Sequence, residues 1–145
     1  MKDLHSHVLV ATAIGAAVLS ADNTPSAIDL RDYNSAEIIL AIGIGGITFS
    51  GTNKIEFKLT HSDDDVTYDA VETDDMLGVT VADGGIIKSL VAAHAAAATY
   101  RVGYKGGKRY LKLLADFSGT HGAGTPIAAI VLKGNGSDNP QVDQA

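Results

Sequence analysis

The chain has 145 residues, enough for one domain with a substantial core, since domains commonly run to roughly 100–200 residues. Lys and Arg number 11 against 17 Asp and Glu, a formal net charge of −6, and Cys and Trp are absent. Such a chain excludes a disulfide framework, a thiolate metal site, a cysteine nucleophile and disorder, and it argues against nucleic acid as a partner, which calls for a basic face.

The first apolar run is Val8–Leu19, VLVATAIGAAVL. It falls short of the about 20 residues that a membrane-spanning helix needs, so no membrane partner is expected. Asp3, His5 and His7 make a poor leader start and Ser20-Ala21-Asp22 a poor cleavage site. Residues 1–26 are therefore read as an N-terminal arm and first apolar strand, suited to lie on a neighbouring subunit. Residues 27–33 (AIDLRDY) alternate partially. Residues 36–43 (AEIILAIG) are nearly continuously apolar, the pattern of a strand buried on both faces. In residues 53–61 (NKIEFKLTH), Ile55, Phe57 and Leu59 alternate with Glu56, Lys58 and Thr60, the pattern of a half-buried antiparallel strand.

Residues 66–71, 76–81 and 86–91 are shorter apolar pieces, the last two separated by the turn signal Asp83-Gly84-Gly85. Residues 92–98 (AAHAAAA) favour helix by propensity but are too few to stand alone, so they read as one helical turn or a close-packed strand. Residues 99–105 and 109–117 flank Gly106-Gly107, which predicts a β-hairpin. A Gly-rich loop over 118–125 precedes a last strand over 126–133, with Pro126 at its start. Residues 134–145 form a polar tail, frayed or extended over a neighbour. The series predicts an all-β domain over 27–133: an antiparallel β-sandwich or jelly-roll of about seven or eight strands, with at most one short helical turn.

The most conspicuous polar feature is His61-Ser62-Asp63-Asp64-Asp65. Asp63, Asp64 and Asp65 are a weak Ca²⁺ candidate, because Ca²⁺ takes six to eight oxygens. Their spacing does not match an EF-hand loop. A solvated turn, with Asp capping backbone N–H groups, is the preferred reading. His5-x-His7 would share one strand face, a weak metal geometry; His94 reads as a packing residue, and His121 lies in a Gly-rich loop. His61 has a nearby Asp, but no nucleophile elbow accompanies it. Gly43-Ile44-Gly45-Gly46 matches no phosphate-binding loop. No catalytic residue and no cofactor are assigned, and the chain reads as a non-enzyme. The interface candidates are Ile47 and Phe49 in an apolar loop between glycines, and Tyr104, Lys108, Arg109 and Tyr110 around the expected hairpin. Acidic residues concentrate between Asp63 and Asp83 and basic ones between Arg101 and Lys133, a dipolar pattern suited to self-assembly.

Two stretches are the most specific: residues 61–71, where HSDD is followed by an aromatic and a Val, and residues 102–112, VGYKGGKRYLK. With AIDLRDYNSAEIILAIG and KIEFKLTHSDDDVTYDAV, they give residues 27–133 a sequence that resembles small structural proteins of tailed bacteriophages, of the capsid decoration or cement type. The resemblance implies a virion protein on the capsid exterior, made in the bacterial host cytoplasm. It would bind the major capsid protein at capsomer junctions and stabilise the shell. Its other partner would be its own copies, a trimer being expected from the three-fold sites of capsids. No catalytic residues come with the resemblance. Alternatives are a tail or head–tail connector component, and a carbohydrate-binding β-sandwich on the virion surface using the Asp63–Asp65 loop.

Overall fold

Period-two burial organises almost every long strand. In the computed structural model, which describes residues 3–145, the strands are β1 (Val8–Leu19), β2 (Ile28–Asp29), β3 (Tyr33–Ile42), β4 (Lys54–Ser62), β5 (Asp69–Ala70), β6 (Met76–Leu77), β7 (Ile86–Leu90), β8 (Ala98–Tyr104), β9 (Tyr110–Ser118) and β10 (Thr125–Gly136). One five-stranded sheet runs β1-β10-β3-β8-β6. The other runs β2-β9-β4, and β5 and β7 share the far edge of β4. All pairings are antiparallel. The fold is an antiparallel β-sandwich, as the alternating runs predict. Three strands have two residues each, leaving seven longer ones.

The core lies between the sheets. Ile38, Leu40 and Ile42 of β3 and Ile127, Ala129 and Val131 of β10 face inward from the first sheet. Ile55, Phe57 and Leu59 of β4 and Leu111, Leu113 and Ala115 of β9 face them from the second. Each large side chain among them contributes about 1.5–3 kcal/mol by leaving water. The outward residues of the second sheet are charged: Lys54 pairs with Glu56 at 2.6 Å, and Lys58 with Asp116. The outward residues of the first sheet are mostly uncharged, with Glu37 and Arg101 as a mutually paired exception. Residues 36–43, expected to be buried on both faces, are covered on one only; Ile39 is half-buried and Ala41 exposed on the outside.

Three further expectations are corrected. The strands around Gly106-Gly107 are not a hairpin: β8 belongs to the first sheet and β9 to the second, so the glycines sit in a crossover between layers. A local turn signal fixes a reversal, not the partner, and β9 finds its partner in the nine-residue ladder with β4. Residues 92–97 are irregular, neither a helical turn nor a strand, and Ala98 opens β8. The two 3-10 turns are His5–His7 and Thr73–Asp75, so His5 and His7 do not share a strand face.

The segment read as an arm supplies β1, paired along β10 with two bulges. The polar tail lies back on the start of its own chain. The Gln141 N–H donates to the Ser6 carbonyl at 2.9 Å, and the Gln144 amide both accepts from and donates to the Val10 backbone.

Candidate functional site

The two stretches that carry the resemblance meet at the corner where β8 crosses to β9. The crossover packs too tightly for side chains at Gly106, where a Cβ would stand 2.7 Å from Asp75 Oδ1 and 2.8 Å from the Tyr104 ring. Gly107 takes a φ of +76°, a left-handed conformation that costs other residues energy. The Lys105 N–H donates to the Asp75 carbonyl at 2.7 Å, tying the crossover to the 3-10 turn.

Inside the corner, the Tyr104 hydroxyl accepts the Lys108 N–H at 3.1 Å. It gives its own proton to His61 Nδ1, 2.9 Å away. That assignment leaves the imidazole proton on Nε2, 4.0 Å from an Asp75 oxygen. The two rings meet edge to face, with centroids 5.8 Å apart. Burial is the main cause that lowers the His61 pKa, partly offset by Asp75, and burial raises that of Tyr104. The corner thereby favours the neutral form of His61.

Ion pairs brace the outside of the same corner. Lys108 Nζ stands 2.7 Å from Asp69. Lys112 lies over the Tyr68 ring, 4.0 Å from its centroid, and 3.9 Å from Asp65. Arg109 holds Asp29 with two bonds of 2.8 and 2.6 Å, which bring the Asp29 pKa down to about 2. The Arg109 guanidinium also lies over Tyr110, at 4.7 Å. An open hollow of about 330 Å³ adjoins these groups, with Arg31, Tyr33, Asp63, Lys105, Lys108 and Arg109 among its lining. Arg31 and Lys105 are exposed and form no ion pair among the described residues.

The Asp63–Asp65 segment is a self-satisfied turn. Asp64 accepts from the Val66 and Thr67 N–H groups, both at 2.9 Å, and from the Ser62 hydroxyl. These donors hold its pKa at about 2, with the backbone N–H groups the largest cause. Asp65 accepts the Tyr68 hydroxyl. Among the described residues no group of three or more His, Cys, Asp or Glu is placed to hold a metal ion. Ser62 is buried, and its Oγ both donates to Asp64 and accepts the Asp64 and Asp65 N–H groups. With His61 Nδ1 occupied by Tyr104, the two neighbours do not form a nucleophile–base pair.

Of the interface candidates, Lys108, Arg109 and Tyr110 lie at this corner and remain partly exposed. Tyr104 and Phe49 are 6% and 2% exposed and pack into the core of the chain. Ile47 is half-buried and packs against that core. Phe49 and Phe117 both pack on His121, whose ring is buried and bonds the Ser118 carbonyl at 2.8 Å. Aromatic residues among glycines look alike in a sequence whether they plug a core or face a partner. Asp29 and Arg31 were not singled out by the sequence, because their corner is assembled from residues 80 positions apart.

His94 bonds the Gly43 carbonyl at 2.8 Å and the Tyr100 hydroxyl at 3.1 Å, which fits its reading as a packing residue. No helix of the described residues is long and apolar enough to cross a membrane. Comparison with family models, curated proteins and solved structures finds no match to this chain.

Proposed function

We propose that the chain is a non-enzymatic structural protein of a tailed-phage virion, a decoration or cement protein on the capsid exterior. It bridges capsomer junctions by binding the major capsid protein. The observation that carries this reading is the union of the two resembling stretches in one braced corner, through His61–Tyr104, Asp69–Lys108 and Asp65–Lys112. Motifs whose contacting residues His61 and Tyr104 lie 43 positions apart thus form a single surface unit, braced by one buried hydrogen bond and two ion pairs. A cement protein has this requirement: it adds buried area at a junction without chemistry. Specific interfaces bury about 1,200–2,000 Å² in total, and many symmetric copies add avidity.

Arg31 and Lys105, unpaired beside the hollow, fit an acidic segment of the shell protein. Purified protein mixed with empty expanded capsids is expected to bind at near-stoichiometric copy number and to raise the shell's melting temperature. Arg31→Glu combined with Lys105→Glu is expected to weaken that binding, most visibly at low salt. A lack of binding to expanded shells would end this reading.

A further inference from the structure

We infer that the outer face of the first sheet is a contact surface for a second copy of this chain, packed face to face about a two-fold axis. The face is assembled by register. Val10 lies opposite Leu132, Thr12 opposite Ile130, Ile130 opposite Ile39, and Ala128 opposite Ala41. All point away from the core, and in a two-layered sandwich that side is the outside. Val10 is 38% exposed and Val18 62%.

Charge separates this face from the rest of the molecule. Strands β1, β10, β3 and β8 contain three charged residues: Glu37, Arg101 and Lys133. Lys133 turns inward to the Asp29 carbonyl, 3.3 Å away. Glu37 and Arg101 pair with each other at 2.8 Å on the β8 side of the face, Arg101 lying opposite Ile39. The opposite sheet carries Lys54, Glu56, Lys58, Lys112 and Asp116 on β4 and β9. Two copies of a chain with net charge −6 repel each other at long range. They approach with least penalty through a surface whose charges, Glu37 and Arg101, already neutralise each other.

The relief of the face selects a second copy as the occupant. Its large side chains, Val10, Ile39, Ile130 and Leu132, form a ridge. Beside the ridge, Ala16, Ala41, Gly43, Pro126 and Ala128 line a shallow apolar depression. The Ile130–Ile39 row and the Ala128–Ala41 row are neighbours on the same strands. A two-fold axis crossing the strands between these rows sets Ile130 over Ala128 and Ile39 over Ala41 of the other copy, and the reverse. Each ridge then fills the other's depression, the self-complementarity that an isologous contact requires.

The area is sufficient. Four strands over about nine residues cover roughly 20 Å by 30 Å from ordinary strand spacing. That is about 600 Å² before side-chain relief, close to the ~800 Å² per partner of a stable interface. This contact is separate from the charged corner proposed to meet the shell, and it does not depend on that role. A two-fold pair differs from the trimer expected from capsid geometry.

Sedimentation of the purified chain over a concentration series tests the contact. The expected result is a dimer that becomes a monomer in Ile39→Arg and in Ala41→Arg, with circular dichroism unchanged. Because the chain has no Cys, single-cysteine variants give a clean second readout that preserves the apolar face. Leu132→Cys mixed with Pro126→Cys is expected to form an oxidative cross-link. Neither alone should do so, since equivalent positions would stand about 20 Å apart along the strands, six residues at ordinary rise. A monomer at every concentration would overturn the contact, as would a trimer, or an oligomer that survives both Arg variants. So would loss of shell binding in the Arg variants of a monomeric protein, which would give this face to the capsid instead.

Discussion

The Tyr104 hydroxyl and His61 Nδ1 stand 2.9 Å apart, and that bond joins β8 of one sheet to β4 of the other. The rest of the contact between the layers is largely apolar. Because the hydroxyl also accepts the Lys108 N–H, one phenol fixes the spacing of the layers, the imidazole tautomer and the path of the crossover.

Tyr104→Phe keeps the ring and removes the hydroxyl. It strands His61 Nδ1 and the Lys108 N–H in the corner, and leaving a buried polar group unpaired costs about 1–3 kcal/mol. Urea unfolding is expected to show a loss in that range, with the secondary-structure signal of the native state unchanged. A variant as stable as the parent would show that the bond adds nothing.

Burial lowers the folded pKa of His61 below its ordinary 6.5. The unfolded chain therefore binds the proton more readily than the folded one. The contribution is fully present above pH 6.5 and is lost as pH falls through the lowered folded value. The melting temperature is expected to decline on acidification from neutrality, and His61→Gln should flatten that part of the curve. A further decline below pH 3.8 should remain in the variant, because Asp29 and Asp64 are both held at about 2. An identical slope in parent and variant near pH 6 would assign the effect to other groups.

Phe49→Ala separates a core residue from an interface residue. A buried Phe truncated to Ala costs about 3–5 kcal/mol, through lost transfer energy and the cavity left behind. Thermal unfolding is expected to shift accordingly even in the isolated protein. A residue facing a partner would leave the isolated melt unchanged and weaken only the assembly.

Gly107→Ala places a Cβ on a residue with φ of +76° and is expected to cost about 1–2 kcal/mol. Gly107→Asn should lose less, since Asn tolerates that conformation through local hydrogen bonds. Equal losses in the two variants would point to steric crowding, although space around Gly107 is open.

Asp64→Ala removes the acceptor for two backbone N–H groups. The melting temperature is expected to fall by the same amount with Ca²⁺ and with a chelator, because the carboxylate serves its own turn. A stabilisation of the parent by Ca²⁺ that disappears in the variant would restore the metal reading of Asp63, Asp64 and Asp65.

The legible parts of the fold were those fixed by local period. Ile55, Phe57 and Leu59 announce β4 because every second residue must face the core. Asp83-Gly84-Gly85 announces a turn, and Gly85 takes a φ of +78° where a Cβ would stand 2.5 Å from the Leu59 carbonyl oxygen. What stayed hidden depended on which strand lies beside which. Gly106-Gly107 reads the same in a hairpin and in a crossover between layers. Tyr104 shares a face with Val102 in either case, but only the second sheet makes that face an interior. The Arg109–Asp29 pair joins chain segments whose meeting no local pattern encodes.

The position of β10 has a consequence for how the chain reaches this fold. Residues Thr125–Gly136 lie between β1 and β3, which do not pair with each other. During synthesis both early strands emerge long before the strand that joins them. Until then each presents an unpaired edge and an apolar face, the condition that favours association between chains. The first sheet closes last, so a chain interrupted before residue 125 would leave β1 without its sheet and β3 with an open edge.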